Sequence, residues 1–135
     1  MKILVDTSVW SLALRRRAPG GGAAVAELRT LIDQGRVAII GPVRQELLSG
    51  IRDRGAFDRL RDHLRAFPDE VLTTADYELA VEFFASCRAR GLQGSNTDFL
   101  ICAVAQRRRL PILTTDGDFA RFAKVLSIAL HRPSG

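Results

Sequence analysis

The run KILVD, Lys2 to Asp6, is apolar at three successive positions and ends in a carboxylate. A strand with one wet face alternates apolar and polar residues; a strand that does not alternate is buried on both faces, as in a parallel sheet covered by helices. Working outward, residues 8–16 predict a short helix closed by the breaker at Pro19 to Gly22. Residues 23–34 carry Val25, Leu28, Leu31 and Ile32 at helical spacing, with Gly35 as the stop. RVAII, residues 36–40, reads as a second strand, and Gly41-Pro42 opens a helix reaching Gly50 with proline in its first turn. Residues 57–67 give an amphipathic helix through Leu60, Leu64 and Phe67, and Asp76 is expected to cap a helix over 77–90 that Gly91 ends. Ser95 to Asp98 begins a helix through FLICAVAQRRR, LPILTT at 110–115 is a strand, 118–122 a helical turn, and KVLSIAL at 124–130 a last strand with a loose tail beyond. Strands alternating with helices predict an α/β domain with a mainly parallel sheet.

Composition fits that reading. The 135 residues suit one domain over 1–135, with 47% hydrophobic and 26% charged residues. No apolar run approaches the roughly 20 residues of a membrane helix. Asp6 interrupts the apolar start before a signal-peptide core forms, so a cytoplasmic location and no membrane partner are expected. Cys87 and Cys102 have neither CxxC nor histidine spacing and read as buried, reduced thiols.

The charge is more informative. Lys and Arg number 20 against 15 Asp and Glu, a net charge of +5, and only Lys2 and Lys124 are lysines. Arginine suits bidentate phosphate contacts, so the balance favours a polyanionic partner. Two clusters, Arg15 to Arg17 and Arg107 to Arg109, fall at predicted helix ends, where cations also complement the backbone dipole.

Against this basic background the acids are placed oddly. Asp6 follows the first strand at once, Asp116 follows the 110–115 strand, Asp98 lies in the first turn of its helix, and Glu46 sits one turn into the helix after RVAII. Sites in parallel sheets form at the carboxyl ends of the strands, so four acids from four segments can converge on one cleft. Each also has an ordinary role: Asp6 as a helix cap, Asp98 in a capping box with Ser95, Asp116 in an Asx turn, Glu46 in solvent. Two bare carboxylates about 4 Å apart repel by about 4 kcal/mol at an effective dielectric near 20, a cost that a hard divalent cation removes. Magnesium takes a few carboxylates, keeps several waters and leaves room for phosphate oxygen. Phosphodiester hydrolysis is the chemistry that pairs an acidic centre with a basic surface.

ILVDTSVW, VRQELLSG, NTDFLICAVA and ILTTDGDF together resemble the signatures of PIN-domain ribonucleases, specifically the VapC toxins of VapBC toxin–antitoxin pairs. The resemblance implies a three-layer α/β/α fold, endoribonuclease activity dependent on Mg²⁺ or Mn²⁺, an RNA substrate, inhibition by a cognate VapB-type antitoxin, a homodimer, and operator DNA bound only through the antitoxin. It places the acidic quartet on Asp6, Glu46, Asp98 and Asp116, with Asp6, Asp98 and Asp116 as metal ligands. Asp118, Ser8, Thr114 and Asn96 fall at supporting positions. A haloacid dehalogenase-type phosphatase needs an acid where Ser8 stands and a lysine at the site, and a receiver domain needs the same lysine; neither Lys2 nor Lys124 is placed for it. The alternative from another class is a PIN fold that binds nucleic acid, or assembles, without cutting.

Overall fold

The computed structural model describes residues 1–14 and 22–134. Four strands, β1 (Ile3–Val5), β2 (Val37–Ile40), β3 (Asp69–Glu70) and β4 (Ile112–Leu113), form one parallel sheet in the order β3-β2-β1-β4. Seven helices lie among the described residues: α1 (Thr7–Leu14), α2 (Gly22–Asp33), α3 (Gly41–Ser49), α4 (Arg54–Leu64), α5 (Thr74–Ala89), α6 (Asn96–Arg108) and α7 (Asp118–Phe122). From β1 the chain crosses to β2 and then to β3 in one direction, before returning across the sheet to β4. Right-handed crossovers therefore put α1 to α4 on one face and α5 and α6 on the other, where Phe122 of α7 packs on Phe99 of α6, the three-layer α/β/α arrangement expected.

Covering both faces is what makes the central strands continuously apolar. Ile3, Leu4, Val5, Ile39, Ile40, Ile112 and Leu113 are all buried. Val5 pairs with Leu113, and the Asp6 N–H donates to the Leu113 carbonyl at 2.9 Å. The carboxyl ends of β1 and β4 thus finish side by side. On the second layer Phe99 of α6 packs against Phe84 of α5 and Phe122 of α7, with ring centroids 5.4 and 5.0 Å apart. Gly94 permits the close passage of the α5–α6 connection, since a Cβ there would stand 2.7 Å from Phe122 Cζ.

Several sequence expectations are corrected. KVLSIAL is not a strand: the chain continues past α7 in turns, with the Val125 and Leu126 N–H groups donating to the Phe122 carbonyl, and Leu130 alone bridges to Ile112. Its apolar residues serve turn packing, Leu126 being buried. The tail beyond is tied down, with Glu27 accepting from the Ser134 hydroxyl at 2.9 Å and lying 2.5 Å from His131 Nε2. β3 carries no apolar signal because it is two acids at the sheet edge, Asp69 meeting Arg44 at 3.0 Å. The helix expected over 57–67 begins at Arg54, capped by Asp53 through the Ala56 N–H.

Asp76 is the third residue of its helix, not the cap, and is wholly buried; Thr73 caps, and Asp76 accepts from the Thr73 N–H at 2.8 Å. Arg107 Nη1 and Arg108 Nη2 donate to the same carboxylate at 2.7 and 2.9 Å. Two arginines of that cluster therefore lock the end of α6 to the start of α5. Burial pushes the Asp76 carboxyl up, but the Thr73 N–H and the two guanidinium groups outweigh it and hold it below the usual carboxylate range. The cluster at Arg15 to Arg17 lies outside the described residues.

Candidate active site

Asp6 and Asp116 stand where β1 and β4 end, and Asp98 lies near enough for its charge to feel both. Asp6 leaves β1 into α1 and is 4% exposed. Its Oδ2 accepts from the Ser8 and Thr114 hydroxyls, both at 2.8 Å. Ser8 Oγ also accepts from the Thr115 N–H at 3.1 Å, so the segments after β1 and β4 are laced together through one carboxylate and two hydroxyls. The Asp116 N–H donates to Thr114 Oγ1 at 3.0 Å, and its Oδ1 accepts from the Asp118 N–H at 2.9 Å. This is the Asx turn that GDF following TTD suggests.

Asp98 arrives from the other direction, at the start of α6. It forms a reciprocal capping box with Ser95: Asp98 Oδ2 accepts from the Ser95 N–H and Ser95 Oγ from the Asp98 N–H, both at 3.0 Å. The cap and the site share one residue. Burial pushes the Asp98 carboxyl up, the Ser95 N–H works against it, and the nearby charges of Asp6 and Asp116 push it further up. That effect on Asp98 places three like charges in one neighbourhood of the fold. The same crowding reaches Cys102 behind Asp98, whose thiol is raised by burial and then by the Asp98 charge.

Each of the three carboxylates spends one oxygen on holding its own loop. Among the described residues no donor reaches Asp6 Oδ1, Asp98 Oδ1 or Asp116 Oδ2. Open oxygens on three anionic side chains are a hard donor set of the kind that takes a divalent cation with few protein ligands and several waters. Among the described residues no three such side chains stand close enough together to hold an ion by themselves, so a bound cation would complete its shell with water. The residues present fit such an ion.

Glu46 stands apart from this cluster. It is exposed on α3 and, among the described residues, touches the site only through Thr7, whose Oγ1 lies 3.5 Å from Glu46 Oε1. Asp118 is on the opposite flank, bound by Arg121 Nη1 at 2.6 Å. Asn96 is exposed at the start of α6, at the rim of an apolar hollow between α5 and α6 that Tyr77, Val81 and Phe84 line. The sequence reading missed Thr7 and Arg121. An arginine three residues after an acid on a helix is a readable pairing signal; nothing in the sequence marks Thr7 as a partner of a residue on another helix.

Comparison with known proteins accords with this architecture. The family model for the PIN domain matches residues 3–125. The structure of FitAcB from Neisseria gonorrhoeae is similar at 23% identity, with a TM-score of 0.76 and 97% of each chain covered. VapBC2 from Rickettsia felis, solved bound to a DNA fragment from its promoter, is similar at 18% identity and a TM-score of 0.76, covering 97% of this chain and 98% of that one. A toxin–antitoxin complex from Klebsiella pneumoniae is similar at 23% identity and a TM-score of 0.63, covering 88% and 91%. No curated protein matches, and no helix among the described residues is long and apolar enough to cross a membrane. With nearly the whole sheet and its acidic edge inside the matched span, the chain belongs to the PIN domain family.

Proposed function

We propose that this chain is a metal-dependent endoribonuclease working as one PIN domain in the cytoplasm, the toxin of a VapBC-type pair held inactive by a VapB-type antitoxin. The observation that carries the reading is the gathering of Asp6, Asp98 and Asp116, each with an open oxygen, at one sheet edge of a chain with net charge +5. Mg²⁺ or Mn²⁺, when bound, supplies Lewis-acid polarisation of the phosphodiester and an activated water. Asp6, Asp98 and Asp116 are the residues that would hold it.

The chain's own groups do the rest by positioning. Ser8 and Thr114 fix the rotamer of Asp6, so its open oxygen is presented without rotational search. Ser95 does the same for Asp98, and the backbone N–H of Asp118 for Asp116. Glu46, which accepts a 3.5 Å hydrogen bond from Thr7 at the margin of the cluster, would take the proton of the attacking water. Arginines outside the Asp76 lock hold the polyanion. The similar structure from Klebsiella is a toxin–antitoxin complex and that from Rickettsia is VapBC2 on a fragment of its promoter, which supports an antitoxin partner here. Operator DNA reached through that partner and a homodimer complete the proposal.

The test is incubation of the purified, partner-free protein with a mixed cellular RNA pool and Mg²⁺ or Mn²⁺. Discrete fragments that vanish with EDTA and with Asp98→Asn are expected, and their ends identify the target. A folded protein that binds RNA and leaves it intact under every metal condition would instead be a non-cleaving module.

A further inference from the structure

Beside the acid centre, the connection between α5 and α6 and the outer side of α7 enclose a hollow of about 360 Å³, lined by Gly91, Leu92, Gln93, Asp118, Arg121 and Phe122. That volume lies at the small end of ligand-sized clefts, about 300–1,000 Å³. It has room for one nucleotide and none for a duplex. Its floor is firm, since Phe122 is buried and Gly94 passes against it with no space for a side chain. Its walls offer an apolar edge in Leu92, an exposed amide in Gln93 and a cation in Arg121.

Arg121 is 62% exposed and bound to Asp118, whose N–H in turn is bound to Asp116. Among the described residues it is the one cation hydrogen-bonded to any of Asp6, Glu46, Asp98, Asp116 or Asp118. By contrast Arg107 and Arg108 are committed to Asp76, and Arg44 to Asp69. Resting on the ribonuclease reading above, we infer that this hollow seats the nucleotide adjoining the cleaved phosphodiester, with Arg121 exchanging Asp118 for that nucleotide's phosphate. An exposed arginine–aspartate pair is worth little in water, whereas guanidinium and phosphate form paired, charge-assisted hydrogen bonds. The exchange therefore costs little and places a cation where an anionic strand meets an acidic centre. Gln93 can donate and accept toward a base edge, and an unpaired base is the form of RNA that such a small site admits.

The experiment measures binding by fluorescence anisotropy, using a labelled single-stranded RNA of about 12 nucleotides, a length within the range of known single-strand sites. An Asp98→Asn background keeps the strand whole. Adding Arg121→Ala is expected to weaken binding about tenfold at low salt and to lower the slope of log K against log salt by about 0.7, the loss of one phosphate contact on a single strand. Arg121→Lys, which keeps the charge, is expected to recover the slope and part of the affinity. Arg65→Ala, an equally exposed arginine at the end of α4 on the other face of the sheet, serves as control and is expected to leave the slope unchanged. In the active protein Arg121→Ala is expected to raise KM while kcat holds, with an unchanged melting curve. An Arg121→Ala protein that binds like its parent, or an Arg65→Ala loss of equal size, overturns the inference alone while cleavage by the wild type leaves the ribonuclease reading standing. A parent that binds no RNA, with a wild type that cleaves none, overturns both.

Discussion

Replacing Asp76 by alanine removes the carboxylate that joins two helices at the end of the molecule remote from the acid centre. The side chain is 0% exposed and accepts four hydrogen bonds, from the Thr73 N–H and hydroxyl and from Arg107 and Arg108. Breaking a buried ion pair by deleting one partner costs about 3–5 kcal/mol, because the other charge is left uncompensated. Here the stranded guanidinium groups are 38% and 24% exposed and keep part of their hydration, which places the loss at the lower end, about 3 kcal/mol. For a domain of this size that is a fall in Tm of about 10–15 °C. Asp76→Asn keeps an acceptor for Thr73 and is expected to lose about half as much. The pH dependence has a definite sign. The folded carboxyl is held below its ordinary range, so the stability it contributes is complete above that range and is lost as pH falls through the lower folded value. Wild type should therefore lose more stability between about pH 5 and pH 2 than Asp76→Ala does. Thermal and urea melts followed by circular dichroism across that range measure both effects. A Tm within about 3 °C of wild type, or parallel acid profiles, would refute the reasoning.

Other variants test separate parts of the structure. Asp98→Asn keeps an oxygen for the Ser95 N–H and removes a charge that Asp6 and Asp116 oppose, so in EDTA it should be about 0.5–1 kcal/mol more stable than wild type; a lower Tm would contradict the crowding. Gly94→Ala drives a Cβ to 2.7 Å from Phe122 Cζ and 3.0 Å from Phe99 Cε2, both rings fully packed, and should cost about 1–3 kcal/mol in urea melts. Glu27→Ala releases the acceptor for Ser134 and His131 and should speed amide exchange at His131, whose N–H bonds the Ile112 carbonyl, with exchange in β1 unchanged. Unaltered exchange at His131 would show that the tail does not depend on Glu27.

The layer order and the shared edge of Asp6 and Asp116 were legible because they rest on long-range consequences of simple patterns. Ile3 to Val5 without alternation required cover on both faces, and carboxylates directly after two such strands had to share an edge. Ser8 and Thr114 entered only through the resemblance, which places small hydroxyls there; that Thr114 donates to Asp6, 108 residues away, has no local trace. What escaped has equally physical reasons. Asp69 and Glu70 form an edge strand whose pairing is entirely backbone, so no side-chain pattern announces it. Arg107 and Arg108 look like helix-end cations in sequence, and only the packing of α5 on α6 reveals that a buried aspartate claims them. KVLSIAL has the composition of a strand, yet it follows a five-residue helix too closely to run free, and its apolar side chains are used in turns. The relation of Glu46 to Thr7 joins helices 39 positions apart and has no local trace.

The most direct measurement compares cleavage rates on one mapped RNA substrate for Asp6→Asn, Asp98→Asn and Asp116→Asn, with Asp76→Asn as a variant perturbed in stability alone, all at a temperature where each is folded. The acid-centre account predicts a loss of at least about 100-fold for each of the first three, larger than the 10–100-fold that removing a ligand's supporting partner costs, and a rate near wild type for Asp76→Asn. Near-wild-type cleavage by any of the first three, or a comparable loss in Asp76→Asn, would contradict it.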